Sequence, residues 1–328
     1  MIRRTACLIA RDDDLYRNLA IEKHLMDTLP EDTAILYLWQ NRHAVVIGRN
    51  QDPWTECAVG SFLSAGGQLS RRYSGGGTQY HDLGTLNYSM ILPKSKFDIS
   101  TQLSVVGMAV GAFGLQPHAG GRSSLSVEGC KFSDSAFLKS GSAACHQGTL
   151  LLNTDLNAMQ RFLPGTPGKL ASRVVNLSTL APQITAASMQ QALYWAFGRA
   201  YGAQPALLDE RMLNTPAIET LTDRFADGGW IYPAGIQPTL SVTEQFPWGN
   251  ITVRLRTDRG VIREARLFTD AMEAGLFPQI EQAITGAPLL VSSIAARIDQ
   301  RLSMLRDPYL LQIADDVQNL LSRHLRGR

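Results

Sequence analysis

The sequence predicts an α+β chain in two parts, on three observations. Short apolar runs of strand character, AILYLWQ at 34–40, AVVIGR at 44–49 and LNYSMIL at 86–92, are separated by turn residues. Other segments carry apolar residues at helical spacing. Towards the C-terminus a hairpin-like stretch, ITVRLRTDRGVIREARLFTD at 251–270, is followed by two more helical stretches, a unit of about eighty residues. The boundary is expected near Thr243, giving parts 1–243 and 244–328 of a 328-residue chain, long enough to bury a substantial core.

Residues 15–29 set Leu15, Leu19, Ile21, Leu25 and Met26 largely on one helical face, behind an Asp-rich start that can cap it. The runs at 34–40 and 44–49 are expected to be buried strands joined by the turn Asn41-Arg42-His43. QLSRRY at 68–73 and LNYSMIL are β-type segments on either side of three glycines. A helix is predicted over 98–114, opened by Asp98 or Ser100, with Leu103, Val106, Met108 and Val110 mostly inward. Strands return over 125–152, then helices at 156–163 and 188–202, the second carrying Leu193, Tyr194 and Phe197. DGGWIYPAGIQP at 227–238 is rich in turn formers. Helices near 275–285 and 294–324 close the chain.

Composition narrows the class. Apolar residues make up 45% and charged residues 18%, a soluble globular balance. The net charge of +2 comes without a basic run, which gives nucleic-acid binding no support. The apolar core of MIRRTACLIARDDD is too short for a signal peptide, and no stretch approaches a membrane span. Cys7, Cys57, Cys130 and Cys145 lack metal-site spacing, so reduced thiols in a cytoplasmic protein are expected.

The window RRYSGGGTQYHDLGTLNYSM at 71–90 carries the most chemistry. Gly75, Gly76 and Gly77 permit positive φ and close backbone approach, so main-chain N–H groups can surround an anion. Arg71 or Arg72 can neutralise it with a planar fork of donors. The loop lacks the Gly-Lys-Ser/Thr ending of a Walker loop and the spaced glycines of a dinucleotide fingerprint. It is expected to be a strand–loop–strand nest without a helix dipole behind it; the plainer reading is a tight turn with two surface arginines.

Lys131 lies in EGCKFSDSAF, among small residues that leave room for a ligand, or else stands as a solvated edge-strand lysine. CHQGTLLLN sets His146 and Gly148 on what would be a neighbouring strand, where a lone histidine more often serves the core. The arginine–glycine loop, His81, Lys131 and His146 together suggest an anion-and-acyl site. No nucleophile elbow or Ser-His-Asp order is present.

These residues resemble the two-domain lipoate–protein ligases. The family pattern RRxSGGGxxxHDxGN is matched by Arg71-Arg72-Tyr73-Ser74-Gly75-Gly76-Gly77 and His81-Asp82-Leu83-Gly84. K-I/V-S-G-S-A is matched by Lys131-Phe132-Ser133-Asp134-Ser135-Ala136, HHGTLL by His146-Gln147-Gly148, and RV-N-L by Ser172-Arg173-Val174-Val175-Asn176-Leu177. NLAIEKHL, LYLWQN, VVIGRNQDPWTEC and the Trp230–Pro238 stretch extend the likeness over essentially the whole chain.

The resemblance implies mixed and antiparallel sheets flanked by helices, as in biotin and lipoate protein ligases, plus a small C-terminal α/β domain. It implies ATP-dependent ligation: lipoate and MgATP give lipoyl-AMP and pyrophosphate, and the lipoyl group then passes to a lysine of a lipoyl carrier domain. Such carriers belong to 2-oxoacid dehydrogenase E2 subunits or to the glycine cleavage H protein. ATP and Mg2+ are thus implied, with lipoate as substrate and neither nucleic acid nor membrane as partner. Carried over by position, Lys131 is the catalytic residue, stabilising charge on carboxylate and phosphate oxygens. Arg72 holds phosphate, and Gly77, Thr78, Gln79 and Tyr80 line the adenylate. Ser74, Gly75, Gly76, His81, Ser135, His146 and Gly148 complete the implied ATP and lipoyl-adenylate site.

Four positions depart from the pattern. Thr85 stands for Asn, Ser123-Ser124 for an Asn-Asp pair, Asp134 for Gly and Gln147 for the second His. Asp134 sets a carboxylate three residues from Lys131, where it either repels a polyanionic substrate or pairs with the lysine. Two alternatives stay open: an ATP-free lipoyl or octanoyl amidotransferase using Cys130 or Cys145, and a catalytically impaired paralogue that binds lipoate or a lipoyl domain.

Overall fold

The structure, a computed structural model, describes residues 2–120, 124–164, 174–233 and 235–325. The chain forms two compact units: Met1–Ile47 with Pro53–Arg72 and Thr78–Ile231, and Gly48–Asp52 with Tyr73–Gly77 and Tyr232–Arg328. The division therefore falls between Ile231 and Tyr232. Thr243, the expected boundary, lies mid-strand and pairs with Thr252, where a ladder cannot be parted.

The first unit contains the strands β1 (Arg4–Ile9), β2 (Thr33–Trp39), β3 (His43–Ile47), β4 (Gln68–Arg71), β5 (Gln79–Asp82), β6 (Thr85–Pro93), β7 (His118–Gly120), β8 (Ser124–Val127), β9 (Cys130–Ser140), β10 (Ala143–Leu151) and β11 (Ala206–Leu207). Its helices are α1 (Leu15–Asp27), α2 (Pro53–Glu56), α3 (Val59–Ser64), α4 (Ile99–Gly111), α5 (Leu156–Phe162), α6 (Leu177–Leu180), α7 (Ala186–Tyr201), α8 (Thr215–Ala226) and α9 (Gly228–Ile231). An eight-stranded sheet runs β11-β1-β2-β6-β10-β9-β8-β7, parallel at β11-β1-β2 and antiparallel beyond. A second sheet runs β4-β3-β5. The two apolar runs joined by Asn41-Arg42 thus enter different sheets, β2 the large one and β3 the small one.

Alternation along the strands assigns the two faces of the large sheet. Leu36 and Leu38 of β2, with Leu86, Tyr88, Met90 and Leu92 of β6, join Val105, Val106, Ala109 and Val110 of α4 and Met189, Leu193 and Phe197 of α7 in one core. The other face carries the intervening residues and packs against α1. Caps fix the helix starts: Asp14 accepts from Arg17 N, Asp98 from Thr101 N, and Thr185 forms a capping box with Ser188.

In the second unit β12 (Leu240–Phe246), β13 (Gly249–Asp258) and β14 (Val261–Thr269) form an antiparallel sheet. The hairpin turn is the two-residue Arg259-Gly260, both at positive φ, 47° and 72°, with Asp258 still paired to Val261. Ile251, Val253, Leu255, Ile262, Ala265 and Leu267 meet α10 (Phe277–Ile284), α11 (Val291–Arg301) and α12 (Pro308–Leu325). The helical stretch expected over 294–324 is two helices, and Pro308 opens the second because it cannot supply an interior helical N–H. The short segments 48–52 and 73–77 are built into this unit: Thr269 N donates to Asn50 O (2.9 Å), Gly76 N to Ala271 O (2.9 Å), and Arg254 pairs with Asp52 (2.9 Å). Among the described residues no helix is long and apolar enough to cross a membrane.

Candidate active site

Lys131 and Asp134 are three apart on β9, and in a regular strand their side chains would point to opposite faces. A β-bulge reverses this. Ser133 pairs with Leu125 but Lys131 with Ser126, so β9 carries one extra residue. Phe132 is thereby turned to the core with Leu125, and Lys131 returns to the face of Asp134. Lys131 Nζ then donates to Asp134 Oδ2 at 3.0 Å. The lysine backbone is held from its other side, where Val175 N donates to Lys131 O at 3.0 Å.

Asp134 is the meeting point of several groups. Gln79 of β5 donates from Nε2 to the same Oδ2 at 3.3 Å, and Thr149 of β10 donates to Gln79 Oε1 at 3.4 Å. The negative charge of Asp134 also acts on the buried Arg72, whose guanidinium burial draws down to about 10. The lysine and aspartate side chains keep 40% and 25% of their exposure, so a ligand can reach them. A carboxylate surrounded by an ammonium, an amide donor and a nearby guanidinium occupies a position built for an anion.

One row further along the same face, Gln147 lies between Ala136 and Ser89. It donates to Glu22 Oε1 at 3.1 Å, Ser89 donates to the other carboxylate oxygen, and Trp39 Nε1 donates to Ser89 at 3.3 Å. Burial pushes the Glu22 carboxyl up to about 7, against the pull of those hydrogen bonds and of Arg72. Gln147 therefore serves the face with Glu22, a contact that the spacing of the motif did not reveal.

His81 has a defined tautomer. Asn18 donates to the Gln40 carbonyl (3.0 Å) and to Asn41 Oδ1 (3.1 Å), and accepts from Tyr37 (2.9 Å). Asn41 must then present its amide nitrogen to His81 Nδ1 at 2.9 Å, which leaves the proton on Nε2. Burial and the charge of Arg72 pull the imidazole down to about 3, so the ring is neutral. Among the described residues Nε2 is buried without a hydrogen-bond partner, beside the Trp39 ring, edge-on at 5.8 Å.

Other residues expected at the site are not brought together with Lys131. Ser135 and His146 project to the opposite, core face, where His146 Nε2 and Ser135 Oγ lie 2.8 Å apart and Tyr88 OH contacts both at 3.2 Å. A Cβ on Gly148 would lie 2.4 Å from the Tyr88 hydroxyl, so this glycine makes room for that tyrosine. Arg71 is spent on α9, donating to the Trp230 and Ile231 carbonyls at 3.1 and 2.8 Å. Thr78 reaches Glu56 (3.5 Å), and Tyr80 contacts His43 (3.3 Å). Asp82 and Thr85 stabilise their turn: Asp82 accepts from Gly84 N and Asp155 N, and Thr85 contacts Thr154 at 2.8 Å.

The glycine loop belongs to the second unit and is partly committed there. A Cβ on Gly75 would lie 2.3 Å from Ala271 O, Gly76 N donates to that same carbonyl, and Ser74 O accepts from Arg49 N. Around Gly77 the space is open. The nest expected from three glycines is thus in part a packing device, because two of them let backbone approach backbone. Ser124 pairs with Asp134 across the ladder, while Ser123, Ser172 and Arg173 lie outside the described residues. Cys145 is fully buried and its thiol is pushed far up by burial, which unfits it as a nucleophile; Cys130 is half-buried at a turn. Among the described residues no three His, Cys, Asp or Glu side chains cluster as metal ligands.

A family model for the lipoyl protein ligase A/B catalytic domain matches residues 14–198, and one for the bacterial lipoate protein ligase C-terminus matches residues 237–305. Among solved structures the chain is similar to P. falciparum LipL1 in complex with lipoate, at 22% identity and TM-score 0.84, over 96% of this chain and 99% of that one. It is similar to the bipartite lipoate protein ligase and E2 lipoyl domain system of Thermoplasma acidophilum (21%, TM-score 0.62, 72% and 99%). A third likeness is to lipoate-protein ligase A bound with ATP (21%, TM-score 0.59, 70% and 98%). The α+β architecture expected from the sequence is that of these proteins, and the chain belongs to the lipoyl protein ligase A/B catalytic-domain family.

Proposed function

We propose that this protein is an ATP-dependent lipoate–protein ligase that activates lipoate as lipoyl-AMP and transfers the lipoyl group to a lysine of a lipoyl carrier domain. The observation that carries this reading is the anion seat of the first unit, where the bulge turns Lys131 toward Asp134 and Gln79 beside buried Arg72. Activation needs positive charge where a carboxylate meets a phosphate, because both reactants are anions and repel. In the first step a lipoate carboxylate oxygen bonds to the α-phosphorus of ATP and pyrophosphate leaves. In the second, the carrier amine bonds to the acyl carbon, AMP leaves and the amine loses a proton. Lys131 Nζ stabilises the charge on carboxylate and phosphate oxygens, and Arg72 contributes a second positive charge from behind. The lipoate-bound, ATP-bound and E2 lipoyl-domain neighbours support the choice of substrates and partner.

The test is pyrophosphate release with lipoate and MgATP, together with the mass increase of a lipoyl carrier domain. The parent chain releases pyrophosphate in step with lipoylation, and Lys131→Ala loses both while melting as the parent does, since its half-exposed side chain contributes little packing. Lipoylation by Lys131→Ala at near the parental rate removes the assignment of Lys131. Carrier modification without pyrophosphate release removes the ligase reading in favour of ATP-free transfer.

A further inference from the structure

We infer that Asp134 is an internal stand-in for the substrate anion, a latch that sets how strongly the site binds ligands according to their charge. The inference rests on the ligase reading for the identity of those ligands. Its ground is geometric. The one extra residue in β9 brings Lys131 within 3.0 Å of Asp134, and without it the two side chains would face opposite sides of the sheet. Gln79 reaches across from the small sheet to the same oxygen. In the pattern this sequence resembles, glycine stands at this position, so the carboxylate is a departure of this chain.

An anionic ligand must take Lys131 from Asp134 and then remain near that carboxylate. The first demand is an exchange of one ion pair for another, nearly neutral in energy at a half-exposed site. The second is a repulsion that grows with ligand charge. ATP is therefore penalised most, lipoate less, and a neutral acyl compound hardly at all. The latch selects weakly charged ligands and keeps Lys131 paired when none is bound. Asp134 thus determines specificity by its charge beside the ligand and takes no part in bond making.

Calorimetric titration of the full chain with ATP, lipoate and neutral lipoamide tests this in the parent, Asp134→Asn and Asp134→Gly. Both variants bind ATP about tenfold or more tightly than the parent, lipoate a few fold more tightly, and lipoamide within about twofold. The gain for ATP shrinks at high salt. A purely structural change would move all three ligands alike, and such a uniform gain overturns the inference, as does a gain for ATP that is indifferent to salt. If the parent binds lipoate and ATP and neither variant alters them, the latch falls while the ligase reading stands. If parent and variants bind neither ligand, both fall together.

Discussion

Glu22 is a carboxyl buried against the large sheet, holding three neighbours through its two oxygens and through Ser89. Burial raises it from its ordinary 4.5 to about 7, even with Arg72 attracting its charged form. Between those values the folded chain holds a proton here that the unfolded chain has released. The contribution of this group to stability is therefore full below pH 4.5, declines as pH rises and levels off above about 7. His81 and His146, both drawn down to about 3, act in the opposite sense below their ordinary 6.5, so the total profile does not isolate Glu22. The difference between parent and Glu22→Gln does, because glutamine fills nearly the same volume, cannot ionise and, with one accepting and one donating edge, matches the protonated carboxyl. Glu22→Gln is expected to match the parent near pH 4.5 and to exceed its stability by up to about 3 kcal/mol above pH 7.5, read from urea unfolding at several pH values. A difference that does not change with pH would mean that Glu22 is not the buried proton carrier of this face.

At the scale of elements, the strands were legible and their faces were not. Apolar runs and turn residues identify β2, β3, β6 and the β13–β14 hairpin, because alternation and buried β-branched residues leave a periodic trace. The bulge in β9 leaves none, since KFSDSA carries no residue that demands it. The same gap put Ser135 and His146 beside Lys131 by motif, although strand parity sends them to the core with Tyr88. The helix α8 is absent from the sequence reading although Asn214 caps it, Pro216 lies in its first turn, and Ile218, Leu221 and Phe225 recur at helical spacing. Turn chemistry offers a direct check on the second unit. Arg259 sits at φ 47°, a conformation that costs a long side chain more than asparagine, and glycine already follows it at 260. Arg259→Asn should therefore stabilise the chain by a few tenths to about 1 kcal/mol, measured as a rise in the thermal midpoint. Destabilisation would show that the Arg259 side chain makes contacts worth more than the strain it carries.

At the scale of the molecule, the linear order of the chain misleads. The turn-rich stretch at 227–238 and the hairpin pattern after it suggest a separate C-terminal module, but the second unit also includes Gly48–Asp52 and Tyr73–Gly77. These segments follow β3 and β4 and carry the Gly48-Arg49 and glycine-loop motifs, so the most conspicuous part of the sequence depends on residues two hundred positions later. Asn50 O and Ala271 O are bonded to Thr269 N and Gly76 N, and Asp52 is held by Arg254. The missing Cβ atoms also matter: side chains at Gly48 and Gly75 would collide with Gly76 O and Ala271 O. Removing residues 232–328 takes away Ala271, Thr269 and Arg254 at once and leaves both segments with backbone groups that only solvent can satisfy. A chain ending at Ile231 is expected to retain the large sheet, whose core is complete within the first unit, but to lose amide-exchange protection over 48–52 and 73–77. Trypsin should then cleave after Arg72 in the shortened chain and spare that bond in the full one. A shortened chain that keeps the loop protected would show that the glycine motif is ordered by the first unit alone.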